Sequence, residues 1–244
     1  MSDSSDDHTE QPPFVDLALL ANFVHQVVNP LNGVAGTLDN LQNNTIEEHR
    51  RLQRLRAARA QVEQCITLMR NLAFLSTGFK RLDPSENRIT VLPQAIIESA
   101  MFFQEDGALK NIRISLKDRN TQNRVVGHPE LIRQVLMNIF DNCIKYGAPG
   151  TEVVVNQWLQ KGTNNAMISI NSQSRYPIDV SEVPYFAKLG FRGSNAKKAV
   201  ASGTGLGLAI CSRIIEDVHG GTFTMQARLP NNLEFLIKIP GGSL

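Results

Sequence analysis

The sequence predicts an α+β protein in two parts: a helical hairpin that forms a dimeric four-helix bundle, followed by a two-layer α/β sandwich. Three observations carry this. Apolar residues recur at alternating three- and four-residue steps from Leu17 to Leu41 and again from Leu55 to Leu72, the seam spacing of packed helices. The rhythm stops between residues 78 and 86, where Asp83-Pro84-Ser85 signals a turn or linker. Beyond it strand-like and helix-like segments alternate, the pattern of a mixed sheet covered by helices.

Residues 1–13 are polar and acidic and end in Pro12-Pro13, which predicts a disordered tail. The hairpin spans 14–80. Its first helix carries Leu17, Leu20, Val24, Val27, Leu31, Val34, Leu38 and Leu41 on one seam, and Asn43-Asn44 break it. Thr45 with Glu48 three residues on has the form of a capping box for the second helix, whose seam is Leu55, Ala58, Val62, Cys65, Met69 and Leu72. A short connection between two long seams makes an antiparallel hairpin. Two helices cannot enclose a core, so a pair of hairpins joining in a four-helix bundle predicts a homodimer.

The second domain spans 86–244. Residues 88–92 and 112–117 read as strands flanking a helix that begins at Pro93. Residues 129–146 read as an amphipathic helix with proline in the favoured first position. Residues 153–159 and 166–170 form a strand pair joined by Gly162-Thr163-Asn164-Asn165. The stretch 172–203 has little periodicity and is rich in Gly, Ser, Pro and basic residues. A helix to about Val218 and strands at 222–228 and 233–239 finish the domain.

Hydrophobic residues are 42% of the 244 and charged residues 20%, with a formal net charge of +2, too balanced to point to nucleic acid or a membrane surface. No stretch of 18 apolar residues and no signal-peptide layout is present, so membrane insertion is not expected. Cys65, Cys143 and Cys211 lack metal-ligand spacing and suit a reducing cytoplasm.

Three groups could carry chemistry. His25 follows the seam residue Val24 and therefore lies on the flank of the hairpin, while Pro30 removes the helical hydrogen bond to the Gln26 carbonyl and should bend the helix there. A neutral imidazole is a competent nucleophile towards phosphorus, although a lone surface histidine is commonly without a role. Asn138 and Asn142 share one face of the 129–146 helix, with Lys145 and Tyr146 next in line. Amide oxygens suit Mg²⁺, yet two asparagines on a polar helix face are unremarkable by themselves. Gly203-Thr204-Gly205-Leu206-Gly207 runs into a helix, and glycines at alternate positions let backbone amides approach phosphate. The spacing fits neither a dinucleotide fingerprint nor a P-loop.

In this order the motifs resemble the transmitter region of bacterial two-component sensor histidine kinases over roughly residues 14–240. Phe23-Val24-His25-Gln26-Val27-Val28-Asn29-Pro30-Leu31 is similar to the phosphoacceptor box. The run from Gln134 to Tyr146 is similar to the N box, Tyr185-Phe186 to the F box that opens an ATP lid, and Gly203 to Ile210 to the G2 box. The resemblance implies an ATP-binding domain of the gyrase, chaperone and histidine-kinase superfamily. It also implies a phosphoryl group passed from ATP to His25, then to an aspartate of a response-regulator receiver domain. Asn142 would bind Mg²⁺, Asn138, Lys145, Tyr146, Gly203, Gly205, Leu206 and Gly207 would surround ATP, and Asn29 would position water for dephosphorylating the partner. Input would come from a separate sensory protein or domain. Arg192, Lys197 and Lys198 fall in the lid, where Arg192 meets phosphate or is simply solvated.

Two departures stand out. Gln26 occupies the place of the family's acid and cannot act as a base. Asn171-Ser172-Gln173-Ser174-Arg175 aligns with the G1 box Asp-x-Gly-x-Gly, so Asn171 would replace the carboxylate that recognises adenine with a neutral acceptor. A protein-histidine kinase is therefore the leading expectation. The alternative is a degenerate kinase acting as an ATP-independent phosphotransfer or scaffold protein. His8, His49, His128 and His219 are expected to have no chemical role.

Overall fold

The computed structural model describes residues 17–76, 84–199, 203–228 and 231–243. The expected tail lies outside these residues. The chain divides into two compact units, residues 1–78 and 79–244.

The first unit is a hairpin of α1 (Leu17–Gln42) and α2 (Glu48–Ser76). Helix α1 runs unbroken through Pro30. Its last turn ends on Asn44, whose φ of 54° is the left-handed cap conformation that asparagine tolerates. The Thr45 hydroxyl donates back to the Asn40 carbonyl at 3.0 Å. It thus closes α1 rather than opening α2, and the expected capping box is not what joins the helices.

Each predicted seam resolves into two heptad positions with different surroundings. Val27, Val34 and Leu41 on α1 are half-buried, and Ala58 and Cys65 on α2 are buried. Cys65 Sγ lies 3.5 Å from the Val27 carbonyl oxygen. The alternate set, Val24, Leu31 and Leu38 with Leu55, Val62 and Met69, stays 37–53% exposed. The Val27–Cys65 contact fixes an antiparallel register that places Val24 about level with Met69, Leu31 with Val62 and Leu38 with Leu55. One hairpin satisfies only half of its own seam.

The second unit has a five-stranded mixed sheet in the order β2-β4-β5-β7-β6. Its strands are β2 (Arg113–Leu116), β4 (Glu152–Leu159), β5 (Ala166–Gln173), β6 (Thr222–Arg228) and β7 (Asn232–Ile239). Strands β2 and β4 are parallel and the others antiparallel. A small sheet holds β1 (Arg88–Val91), β3 (Arg124–Gly127) and β8 (Gly242–Ser243). The two strands expected at 88–92 and 112–117 therefore belong to different sheets, and β3 and β8 are additions to the sequence reading. Helices α3 (Leu92–Phe102), α4 (Gln104–Leu109), α5 (Pro129–Tyr146), α6 (Ser194–Ala199) and α7 (Gly207–Arg213) complete the unit, and a π turn over Ile214–Val218 prolongs α7.

The core lies between the large sheet and α5. Val135, Leu136, Ile139 and Phe140 on the helix and Val155, Ile168, Ile170, Phe235 and Ile237 on the sheet are at most 2% exposed. Phe140 meets Phe103 edge to face at 6.4 Å. The opposite sheet face is open enough to leave Trp158 39% exposed. This is a two-layer sandwich, as expected.

Candidate nucleotide and phosphotransfer sites

Burying the apolar face of α5 turns Asn138 and Asn142, one helical turn apart, towards α7. Asn138 is 4% exposed, and its Nδ2 donates to the Gly207 carbonyl at 3.3 Å. Asn142 Nδ2 donates to the Asn138 carbonyl at 2.7 Å. With its amide nitrogen held there, Asn142 keeps its side-chain oxygen as a hard acceptor, the donor chemistry Mg²⁺ takes. Lys145 stands 3.8 Å from Asp141 on the same helix. Tyr146 accepts the Arg175 backbone N–H through its carbonyl at 2.9 Å.

The glycine turn packs against this face. A Cβ on Gly207 would lie 3.7 Å from both Asn138 Cγ and Asn142 Nδ2. Gly205 has φ +66° and its carbonyl accepts the Gly190 N–H at 3.2 Å. Leu206 is fully buried and its N–H meets Thr204 Oγ1 at 3.2 Å. A Cβ on Gly203 would come within 3.2 Å of Arg192 Nε, so the guanidinium sits beside the turn. Phe191 packs near Tyr185 and Phe186 with ring centroids 5.9 and 6.2 Å away. The sequence reading singled out Tyr185-Phe186 and Arg192 there, but not Phe191. The signal for Phe191 was its place immediately before Arg192 in the same segment.

Asn171 is not brought to this group. It pairs across the sheet with Val154 and Glu234. Side chains alternate along a strand, so Asn171 shares the outer face with Ser169, whose hydroxyl lies 3.4 Å from Asn156 Nδ2. Ser172 is the residue that points inward. It is 8% exposed and hydrogen-bonds the Cys143 thiol of α5. Strand β5 therefore offers a hydroxyl, not an amide or carboxylate, to the α5 side.

Cys143 and Cys211 lie beneath the same face. Burial pushes the Cys143 thiol up to about 12, opposed by the Ser172 hydrogen bond, and burial also raises Cys211. Both stay protonated and neither is a nucleophile near neutral pH. On the hairpin, His25 and Asn29 are exposed and Gln26 is half-buried. Among the described residues, His219 has a definite structural task. Its Nε2 accepts the His128 N–H at 3.1 Å while Nδ1 lies 2.8 Å from the Ile214 carbonyl. Desolvation by burial holds its pKa below the ordinary 6.5; the Ile214 hydrogen bond opposes this and the His128 charge adds to it.

The family described as "Histidine kinase-, DNA gyrase B-, and HSP90-like ATPase" matches residues 127–242. The adaptive-response sensory kinase SasA of Trichormus variabilis is 27% identical over 228 residues, covering 86% of this chain and 54% of that protein. This chain spans about half or less of the length of the curated relatives it matches. The catalytic domain of histidine kinase ThkA is 28% identical with a TM-score of 0.55, covering 64% of this chain and 98% of that one. ThkA in complex with the response regulator protein TrrA shares the fold with a TM-score of 0.57 at 21% identity, covering 92% and 61%. Residues 127–242 thus match the ATPase family of histidine kinases, gyrase B and HSP90, and the relatives that also cover the helical hairpin are sensory kinases, which supports a transmitter region with an ATP-binding domain.

Proposed function

We propose that the chain is a protein-histidine kinase module that takes the γ-phosphoryl group of ATP onto His25 and passes it to an aspartate of a response-regulator receiver domain. The observation that carries this reading is the junction of Asn138, Asn142 and Gly207, which sets a hard oxygen ligand beside the glycine turn. In the transfer, a lone pair of the His25 imidazole forms the P–N bond. The bond from phosphorus to the bridging oxygen breaks, ADP carries away the electron pair, and the ring proton passes to solvent. When bound at Asn142, Mg²⁺ neutralises phosphate charge. Asn142 holds that ion, the backbone of Gly203, Gly205, Leu206 and Gly207 lines the phosphates, and Lys145 and Arg192 supply positive charge. Asn138 positions the α7 turn, and Tyr146 lies around the nucleotide. Gln26 orients the imidazole without accepting its proton, which slows the first step. Asn29 positions water for returning the partner to its unphosphorylated form.

The exposed stripes Val24–Leu31–Leu38 and Leu55–Val62–Met69 support a homodimer closed as a four-helix bundle. Among the described residues no helix is long and apolar enough to cross a membrane. A cytoplasmic module receiving its input from a separate sensory protein or domain completes the reading.

A second reading has its own support. The inner face of β5 presents the Ser172 hydroxyl and no carboxylate to α5, Asn171 stands where the resemblance expects an acid, and Gln26 stands in place of an acid beside His25. A chain that no longer uses ATP but relays phosphoryl groups through His25, or acts as a scaffold, fits these features. Calorimetric titration with ATP and Mg²⁺ separates the two. Saturable binding that weakens in Asn142→Ala supports the kinase; no heat of binding moves the assignment to the relay.

A further inference from the structure

A cleft of about 800 Å³ lies on the far side of the helix layer from the nucleotide site, where α3 and α4 overhang the edge strand β2. Helix α5 packs between α3 and α7, so the cleft and the glycine turn do not share walls. Its floor is apolar and buried at Ile96, Phe103, Ile112 and Leu116. Its rim carries Met101, 64% exposed.

The edge itself is open. Arg113 N–H bonds the Thr151 carbonyl and Lys117 N–H bonds the Val155 carbonyl, so the odd-numbered residues of β2 face β4. The N–H and C=O groups of Ile114 and Leu116 therefore point to the free rim. Charge at the rim is one-sided. Glu152 is engaged by Lys117 at 3.3 Å and also lies in the field of Arg113, so one carboxylate faces two cations, and among the described residues Arg119 has no ion-pair partner. Pairing β2 with β2 of another copy would bring Arg113, Lys117 and Arg119 of both copies together, which disfavours a second copy.

We propose that this edge is a docking site for an extended acidic segment of a partner protein. The segment adds a strand beside β2 through Ile114 and Leu116, places alternate apolar side chains in the cleft, and sets carboxylates against Arg113 and Arg119. The site lies outside the phosphotransfer machinery and serves recruitment.

The test uses the full chain and a fluorescein-tagged seven-residue peptide in which valine or isoleucine alternates with glutamate. Anisotropy should show saturable binding, at least tenfold weaker in Arg113→Glu/Arg119→Glu. Both arginines are exposed, and an unchanged urea transition checks that the variant folds. Exchange of the Ile114 and Leu116 amides should slow on binding, and the peptide N-methylated at alternate amides should not bind. Absence of saturable binding overturns the proposal, as does equal affinity of the N-methylated peptide or indifference to the arginine changes. Arginine-dependent binding of dodecanoate in place of the peptide also overturns it, by assigning the cleft to a small amphiphile.

Discussion

Gly205→Ala isolates what the glycine turn contributes. Gly205 sits at φ +66°, and a Cβ there would lie 2.6 Å from the Phe191 carbonyl oxygen and 2.7 Å from Gly190 C. Both are backbone atoms, so the 190–191 segment must move. The left-handed conformation costs alanine about 1–2 kcal/mol, and losing the Gly190 N–H bond to the Gly205 carbonyl adds about 1 kcal/mol. The combined cost of about 2–3 kcal/mol corresponds to roughly 30–150-fold in the opening equilibrium of this turn. Native-state hydrogen exchange reads it directly: the Gly190 amide should exchange faster by that factor, with no shift in the urea midpoint of the sandwich. Gly220→Ala is the control, because Gly220 has φ +62° with nothing within 4 Å of its Cβ and lies at the entry to β6. It should leave Gly190 exchange untouched. Unchanged Gly190 exchange in Gly205→Ala, or a midpoint shift like that of a core mutation, would refute the packing argument.

Three further outcomes follow from the same geometry. His219 is held neutral with a lowered pKa, so the unfolded chain binds more protons below about pH 6.5. Stability should be full above that pH and fall as the pH drops through it, and His219→Gln should flatten this dependence in urea titrations from pH 7.5 to 5.5. Leu31→Lys with Val62→Lys puts charge on the exposed stripe, so light scattering should report a dimer for the parent chain and a monomer for the variant. Phe140→Ala removes a fully buried ring from the core and should cost about 3–5 kcal/mol in denaturant unfolding, against less than about 0.5 kcal/mol for an exposed control such as Gln94→Ala.

Strong periodicity was the most legible part of the chain. Helix α5 begins and ends where the sequence places it, because Pro129 fixes its start and the apolar stripe runs uninterrupted to Tyr146. The hairpin was equally readable, but its seams hid a division. Spacing alone does not say which heptad position meets the other helix of the hairpin and which stays open, since both are apolar. Strand β3 was missed because Arg124–Gly127 is four residues long, too short for an alternation to stand out, and its partners lie at distant β1 and β8. Asn171 illustrates register. A shift of one residue moves a side chain to the other sheet face, and the buried alternation of Ile168, Ile170 and Ser172 was the available clue. The role of His219 depends on tertiary contacts with residues 128 and 214, which no local pattern announces.

The most direct measurement is incubation of the chain with γ-labelled ATP and Mg²⁺, comparing wild type with His25→Ala. The account predicts acid-labile, alkali-stable label on the wild type alone, transferable to a receiver domain. Label retained by His25→Ala, or none on either protein, would contradict it.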